Sequence, residues 1–155
     1  MNETFKQQAA KFGERGRLFG LDFGEKTIGV AVCDPDRFVA TPVETVRRQK
    51  FTIDAERLAS LAGERDIVGI VIGLPLNMDA SEGPRAQSTR AFGRNLTKIL
   101  PLPVAYWDER LSTVAVTRDM IAIDESRSKR AAKVDEAAAT FILQGAIDRL
   151  RHAAQ

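Results

Sequence analysis

The chain has one cysteine and one histidine among its 155 residues. A lone Cys33 forms no internal disulfide, and its apolar neighbours mark it as core packing. His152 lies near the C-terminus, so neither a histidine-rich zinc site nor a Ser-His-Asp triad can be assembled. No apolar run approaches the roughly 20 residues needed to cross a bilayer. The N-terminal stretch MNETFKQQAAKFGERGR has no apolar core of the kind a secretory signal carries. These shortages predict a protein of the reducing cytoplasm with no membrane partner. Charge of one sign is also scarce: a formal net charge of +2 does not by itself declare a nucleic-acid partner.

A hydrophobic fraction of 44% and a charged fraction of 28% describe an ordinary globular chain. At this length one domain is expected. Its boundaries are 17–155, preceded by a polar extension over 1–16 that is frayed or helical and lies outside the core. Arg17–Phe23 reads as a buried strand, Gly24–Lys26 as a turn with Gly24 at positive φ, and Thr27–Cys33 as the hairpin partner. Phe38–Val46 is a third strand, and Pro42 marks it as irregular or as an edge. Thr52 can cap a helix with Ile53, Leu58, Leu61 and Ala62 on its inner stripe. Ile67–Ile72, almost continuously β-branched, suits a strand covered on both faces. A long loop over Gly73–Pro84 leads into a helix carrying Phe92, Leu96 and Ile99, which Pro101 and Pro103 end. Val104–Trp107 is a short strand. Ser112 or Thr113 caps the following helix, Asp124–Arg130 is a basic linker, and Ala131–Ala153 is a terminal helix. Early hairpins followed by alternating elements predict an α/β domain, a mixed sheet with helices on both faces.

Within this frame the acids are the informative residues. Asp22 sits inside the apolar stretch LFGLDFGEKTIGVAV, where burying a carboxylate costs several kcal/mol unless it is paired, hydrogen-bonded or bound to a cation. Asp108 and Glu109 follow the last strand, and Asp135 falls early in the terminal helix, where the helix dipole favours an acid. If the first and last strands are neighbours, these acids converge. Two carboxylates about 4 Å apart repel by roughly 4 kcal/mol at an effective dielectric near 20, so a cluster requires protonation or cations. Carboxylate oxygens are hard ligands suited to Mg²⁺ or Mn²⁺, and such ions support phosphodiester hydrolysis. Of the adjacent pair, alternation along the strand lets one side chain enter the site. Glu109 is favoured, with Asp108 capping the turn or binding through water. Arg110 either orients a phosphate or pairs with its acidic neighbours. Lys26 either reaches a phosphate or damps the charge of Asp22, and Asn77 is a candidate substrate contact in the long loop. Two basic clusters, Arg47/Arg48/Lys50 and Arg127/Lys129/Arg130/Lys133, are further candidate phosphate contacts.

Four segments occur in a characteristic order: DFGEKTIGVAV, GLPLNMDASEGP, DERLST and KVDEAAA. In them the chain, from Arg17 to Leu150, resembles the YqgF family of Holliday-junction resolvase-like proteins, also described as pre-16S rRNA nucleases. The resemblance implies a ribonuclease H-like fold with a five-stranded mixed sheet whose first three strands are antiparallel. It implies a cytoplasmic nuclease acting in 5′-end maturation of small-subunit ribosomal RNA. Catalytic positions would fall on Asp22, on the Asp108–Glu109 pair and on Asp135, with Asp22, Glu109 and Asp135 holding the metal. Ala80 stands where the family often has glycine, and the extension before Arg17 lies outside the motifs.

An actin-like phosphotransferase also places an acid and a glycine between two strands, but it requires two lobes and a second phosphate hairpin. A non-catalytic RNA-binding or assembly module is the other rival. Basic clusters suit precursor rRNA and branched DNA alike, since phosphate contacts carry little sequence information. No coiled-coil seam declares an oligomer.

Overall fold

The computed structural model describes residues 4–111 and 127–153, with the side chains of the second stretch over 135–152. Five strands make one mixed sheet: β1 (Arg17–Phe23), β2 (Thr27–Cys33), β3 (Ala40–Arg47), β4 (Ile67–Leu74) and β5 (Val104–Asp108). Their spatial order is β3-β2-β1-β4-β5. The β1–β2 and β2–β3 pairs are antiparallel, and the β1–β4 and β4–β5 pairs are parallel. The first and last strands are therefore not neighbours. β4 stands between them, and any meeting of their acids has to span it.

Both strands of the opening hairpin have the boundaries that alternation and turn chemistry predict. Gly24 closes the turn, its N–H donating to the Thr27 carbonyl at 2.9 Å. Its φ is not positive, contrary to expectation: the reason for glycine is closeness, since a Cβ there would lie 3.1 Å from that same carbonyl oxygen. Pro42 does mark an irregular edge. Val30 pairs with Glu44 but Ala31 pairs with Pro42, so Val43 is an extra residue bulged out of β3.

Four α-helices are described: α1 (Phe5–Ala9), α2 (Phe51–Gly63), α3 (Pro84–Ile99) and α4 (Arg127–Ala153). The inner side of α2 differs from the expected stripe, because the helix begins at Phe51 rather than after Thr52. Ile53 is exposed, while Asp54 and Ala55 turn inward, and the Asp54 carboxylate accepts from the Gln49 N–H at 2.9 Å. The expected helix after Ser112 lies outside the described residues.

Two apolar layers sandwich the sheet. On one face Phe19, Leu21, Ile28, Val30, Ile70 and Ile72 pack with α2 and α3. On the other, Leu18, Ala31, Val71, Ala105 and Trp107 pack with α4. The segment before Arg17 is helical, as expected, but it is not outside the core. Ala9 and Phe12 are buried, and Phe12 lies over Gly69, where any side chain would collide with its ring. Arg37 secures the segment by donating to the carbonyls of Phe12, Gly13 and Gly16 at 3.0, 2.8 and 2.8 Å. Gln8 accepts from the Tyr106 N–H of β5 at 2.9 Å. The polar count of residues 1–16 conceals an apolar spacing, Phe5, Ala9 and Phe12, that fits one helical face.

Candidate active site

Strand register places the acids. Asp22 pairs with Gly29 of β2, and extending the Leu21↔Ile72 pairing by one residue sets Gly73 of β4 beside it. Gly73 in turn pairs with Trp107 of β5. Paired residues point to the same side of a sheet, so Gly29, Asp22, Gly73 and Trp107 form one row facing α4. Asp22 is 5% exposed.

The two glycines beside Asp22 are openings. A Cβ on Gly29 would run into the backbone carbonyl of Asp135, so only glycine lets α4 approach β2 at this level. A Cβ on Gly73 would lie 2.7 Å from Glu109 Oε1 and 2.5 Å from Ile142. Asp135 thus arrives on one flank of Asp22 and Glu109 on the other. The Thr27 hydroxyl at the start of β2 donates to Asp135 Oδ2 and ties the helix to the hairpin.

Asp135 owes nothing to the helix dipole. The helix already includes Arg127, ahead of the expected Ala131, which puts Asp135 at least two turns in, beyond the reach of the terminal partial charge. Arginine, lysine and serine are compatible with helix, which is why the expected basic linker is helical from Arg127 onward.

The adjacent pair divides between the two sides of the sheet. Trp107 faces α4, so alternation sends Asp108 to the opposite side, toward α3, where Tyr106 packs against Gly93. At Glu109 the chain leaves β5 for a 3-10 turn over Glu109–Leu111, and the glutamate returns toward Gly73. Asp108 is occupied by Arg110. Nε donates to both carboxylate oxygens at 3.0 and 3.1 Å, Nη2 donates to Oδ2 at 2.7 Å, and the Arg110 backbone N–H donates to Oδ1 at 3.0 Å. These bonds from Arg110 hold the Asp108 carboxyl below the usual aspartate range and push the arginine further up. Of the two roles open to Arg110, the ion pair is the one formed.

Lys26 is exposed at the tip of the β1–β2 turn. Arg48 of the first basic cluster holds that turn, donating to the carbonyls of Gly24 and Glu25 at 2.8 and 3.0 Å and covering the Phe23 ring. Asn77 organises its own loop: its Nδ2 donates to Ser81 Oγ at 2.9 Å and its carbonyl accepts from the Ala80 N–H at 2.9 Å. Ala80 adopts φ of 71°, the left-handed conformation that a glycine would take without strain. Lys133 and the rest of the second basic cluster belong to α4, but their side chains lie outside the described residues.

The row offers oxygen donors alone, a chemistry suited to Mg²⁺ or Mn²⁺. Among the described residues no three acidic, histidine or cysteine side chains stand close enough to enclose one ion. Sequence reasoning passed over Thr27, Gly29 and Gly73. Glycine inside a strand was the signal, since it marks a close approach.

A family model described as "RuvX: Holliday junction resolvase" matches residues 16–149. A protein of Nitrobacter hamburgensis named "Putative pre-16S rRNA nuclease" is 64% identical over 144 residues, covering 93% of this chain and 88% of its own. A Ruegeria protein of the same name is 57% identical over 152 residues, covering 98% and 97%. Among solved structures, Thermus thermophilus RuvC in complex with a Holliday junction substrate superposes with a TM-score of 0.54 at 12% identity. It covers 88% of this chain and 96% of that one, a likeness in fold, which is ribonuclease H-like.

Proposed function

The chain belongs to the RuvX family, and from that premise we propose that its acidic row hydrolyses nucleic-acid phosphodiesters, with the 5′ end of precursor 16S rRNA as substrate. The observation that carries this reading is the row itself: Asp22 stands between two glycines, and the openings they leave admit Asp135 and Glu109. A buried carboxylate flanked by two further acids at one end of the sheet is costly for packing alone and useful for chemistry on phosphate.

Asp22, Glu109 and Asp135 would share the holding of Mg²⁺ or Mn²⁺, one or two carboxylates to an ion, with water and substrate oxygens completing its shell. When bound, the cation activates water and stabilises the leaving oxygen. Asp22 supplies its carboxylate from the most rigid position, a strand paired on both sides. Asp135 supplies one from the helix, held by Thr27, and Glu109 one from the turn after β5. Lys26 at the hairpin tip, Asn77 in the loop after β4 and Lys133 on α4 are proposed contacts to the phosphate backbone. Processing of ribosomal RNA belongs to the cytoplasm, and among the described residues no helix is long and apolar enough to cross a membrane.

Asp22→Asn, Glu109→Gln and Asp135→Asn, tested on precursor rRNA with Mg²⁺ or Mn²⁺, should each lower kcat about a thousandfold, about 4 kcal/mol of barrier, with circular dichroism unchanged. Wild-type rates in these variants would refute the assignment. The description of the family as a Holliday junction resolvase supports branched DNA as a second substrate. A four-way junction assayed beside precursor RNA separates the two. Binding without cleavage of either, in both metals, would leave an RNA-binding or assembly module.

A further inference from the structure

We propose that Arg110 is a positioning residue: a latch that ties the loop after β4 to the end of β5 and fixes the direction in which Glu109 leaves the strand. The proposal rests on the nuclease reading for the importance of Glu109, but the latch itself is a matter of geometry.

The guanidinium is used on two sides. Its Nε and Nη2 clamp the Asp108 carboxylate. Its Nη1 donates to the Met78 carbonyl at 3.1 Å, 32 residues away in the chain. Three of its nitrogens are thus directed at the protein, in the planar fork that suits a carboxylate. A phosphate contact would leave that fork pointing outward.

The loop presents a preformed tip to this clamp. Asp79 Oδ1 accepts from the Ser81 N–H at 3.0 Å and from the Ser81 hydroxyl at 2.5 Å, and Asn77 bonds to Ser81 on the other side. Met78 is 92% exposed, so its side chain adds no packing that would anchor the tip. The link from the tip to β5 is made through its backbone carbonyl and Arg110.

At the other end, the clamp keeps Asp108 on the α3 side of the sheet as the chain turns into the 3-10 segment. Glu109 is the next residue. With Asp108 held away by four hydrogen bonds from Arg110, the turn carries Glu109 back toward Gly73. One side chain therefore sets both the loop position and the glutamate position.

The test compares full-length wild type with Arg110→Ala and Arg110→Lys. In metal-free protein, hydrogen exchange of the amides over 77–81 should rise at least tenfold in Arg110→Ala, with strands β1 and β4 unaffected. Arg110→Lys should not restore protection, because an ammonium cannot fork between carboxylate and carbonyl. Calorimetric titration with Mn²⁺ should show weaker binding in both variants, by about fivefold or more. On precursor rRNA, kcat should fall and recover at high Mn²⁺, with KM unchanged.

Unchanged exchange over 77–81, with KM raised and its salt dependence reduced by about one charge, would mark Arg110 as a phosphate contact and overturn the proposal. If wild type neither binds Mn²⁺ nor cleaves, the nuclease reading fails instead. The exchange comparison still decides whether the latch exists.

Discussion

The two faces of the sheet are built on opposite principles. Toward α2 and α3 the strands present volume: Phe19, Leu21, Ile28, Val30, Ile70 and Ile72 are each 0% exposed. Toward α4 they carry Leu18, Ala31 and Val71 but also openings, with Gly20, Gly29 and Gly73 on the strands. A Cβ on Gly20 would lie 2.6 Å from the Leu143 Cβ and 2.8 Å from the Ala139 carbonyl. The helix backbone thus comes down onto the strands and carries Asp135 to the level of Asp22. A face filled with branched side chains holds a helix at a distance; a face of glycines lets the helix become part of the site. Both faces carry apolar core, but the chemistry is confined to the one whose strands carry glycines.

That division can be broken from either side. The largest loss of stability is expected on the filled face. Leu58→Ala in α2 removes a fully buried side chain and should cost about 4 kcal/mol in denaturant unfolding, with cleavage by the folded fraction near wild type. Adding a methyl on the empty face should do the reverse. Gly29→Ala forces α4 away from β2 and should cost about 2–3 kcal/mol. It should also reduce cleavage per folded molecule far more than Leu58→Ala does. If the two variants lose activity only in proportion to unfolding, the faces are not specialised.

A smaller effect is expected from Thr27→Val, which deletes the hydroxyl that holds Asp135 and leaves a similar volume. It should lower stability by about 1–2 kcal/mol, and Mn²⁺ affinity measured by titration should drop with it. The smallest change lies outside both faces. Ala80→Gly relieves a left-handed residue at φ 71° and should raise the unfolding free energy, read from denaturant titration, by about 1 kcal/mol, with cleavage unaltered. A destabilised Ala80→Gly would mean that the loop gains more from the stiffness of alanine than it loses in strain.

The hairpin of β1 and β2 was legible because its apolar runs are bounded by turn residues on both sides. The order of the sheet was not: adjacency of β1 and β4 is a long-range fact that local periodicity does not contain. Asp22 was legible as a carboxylate in an apolar strand, a local contradiction that demands a reason. The depth of Asp135 in its helix was not, because a run of basic residues reads equally well as linker or helix. Whether Asp108 or Glu109 faces α4 depends on where β5 ends, and Arg110 bears on that through contacts made only after folding. The N-terminal segment was misjudged because three apolar residues at helical spacing were outweighed by the charged residues between them.

The Gln8–Tyr106 hydrogen bond joins residues 98 positions apart. Residues 4–12 leave the ribosome early, yet the strand they cover is made only after two-thirds of the chain has followed. Phe12 can settle on β4 and Arg37 before then, but Gln8 lacks its partner, and β5, once made, exposes an unpaired edge to any other extended chain nearby. Closing that edge requires a contact between segments 98 positions apart, whose loop-closure entropy must be met before the contact forms. For a protein whose proposed substrate is made beside ribosomes, the interval between making an edge and covering it is spent in crowded company.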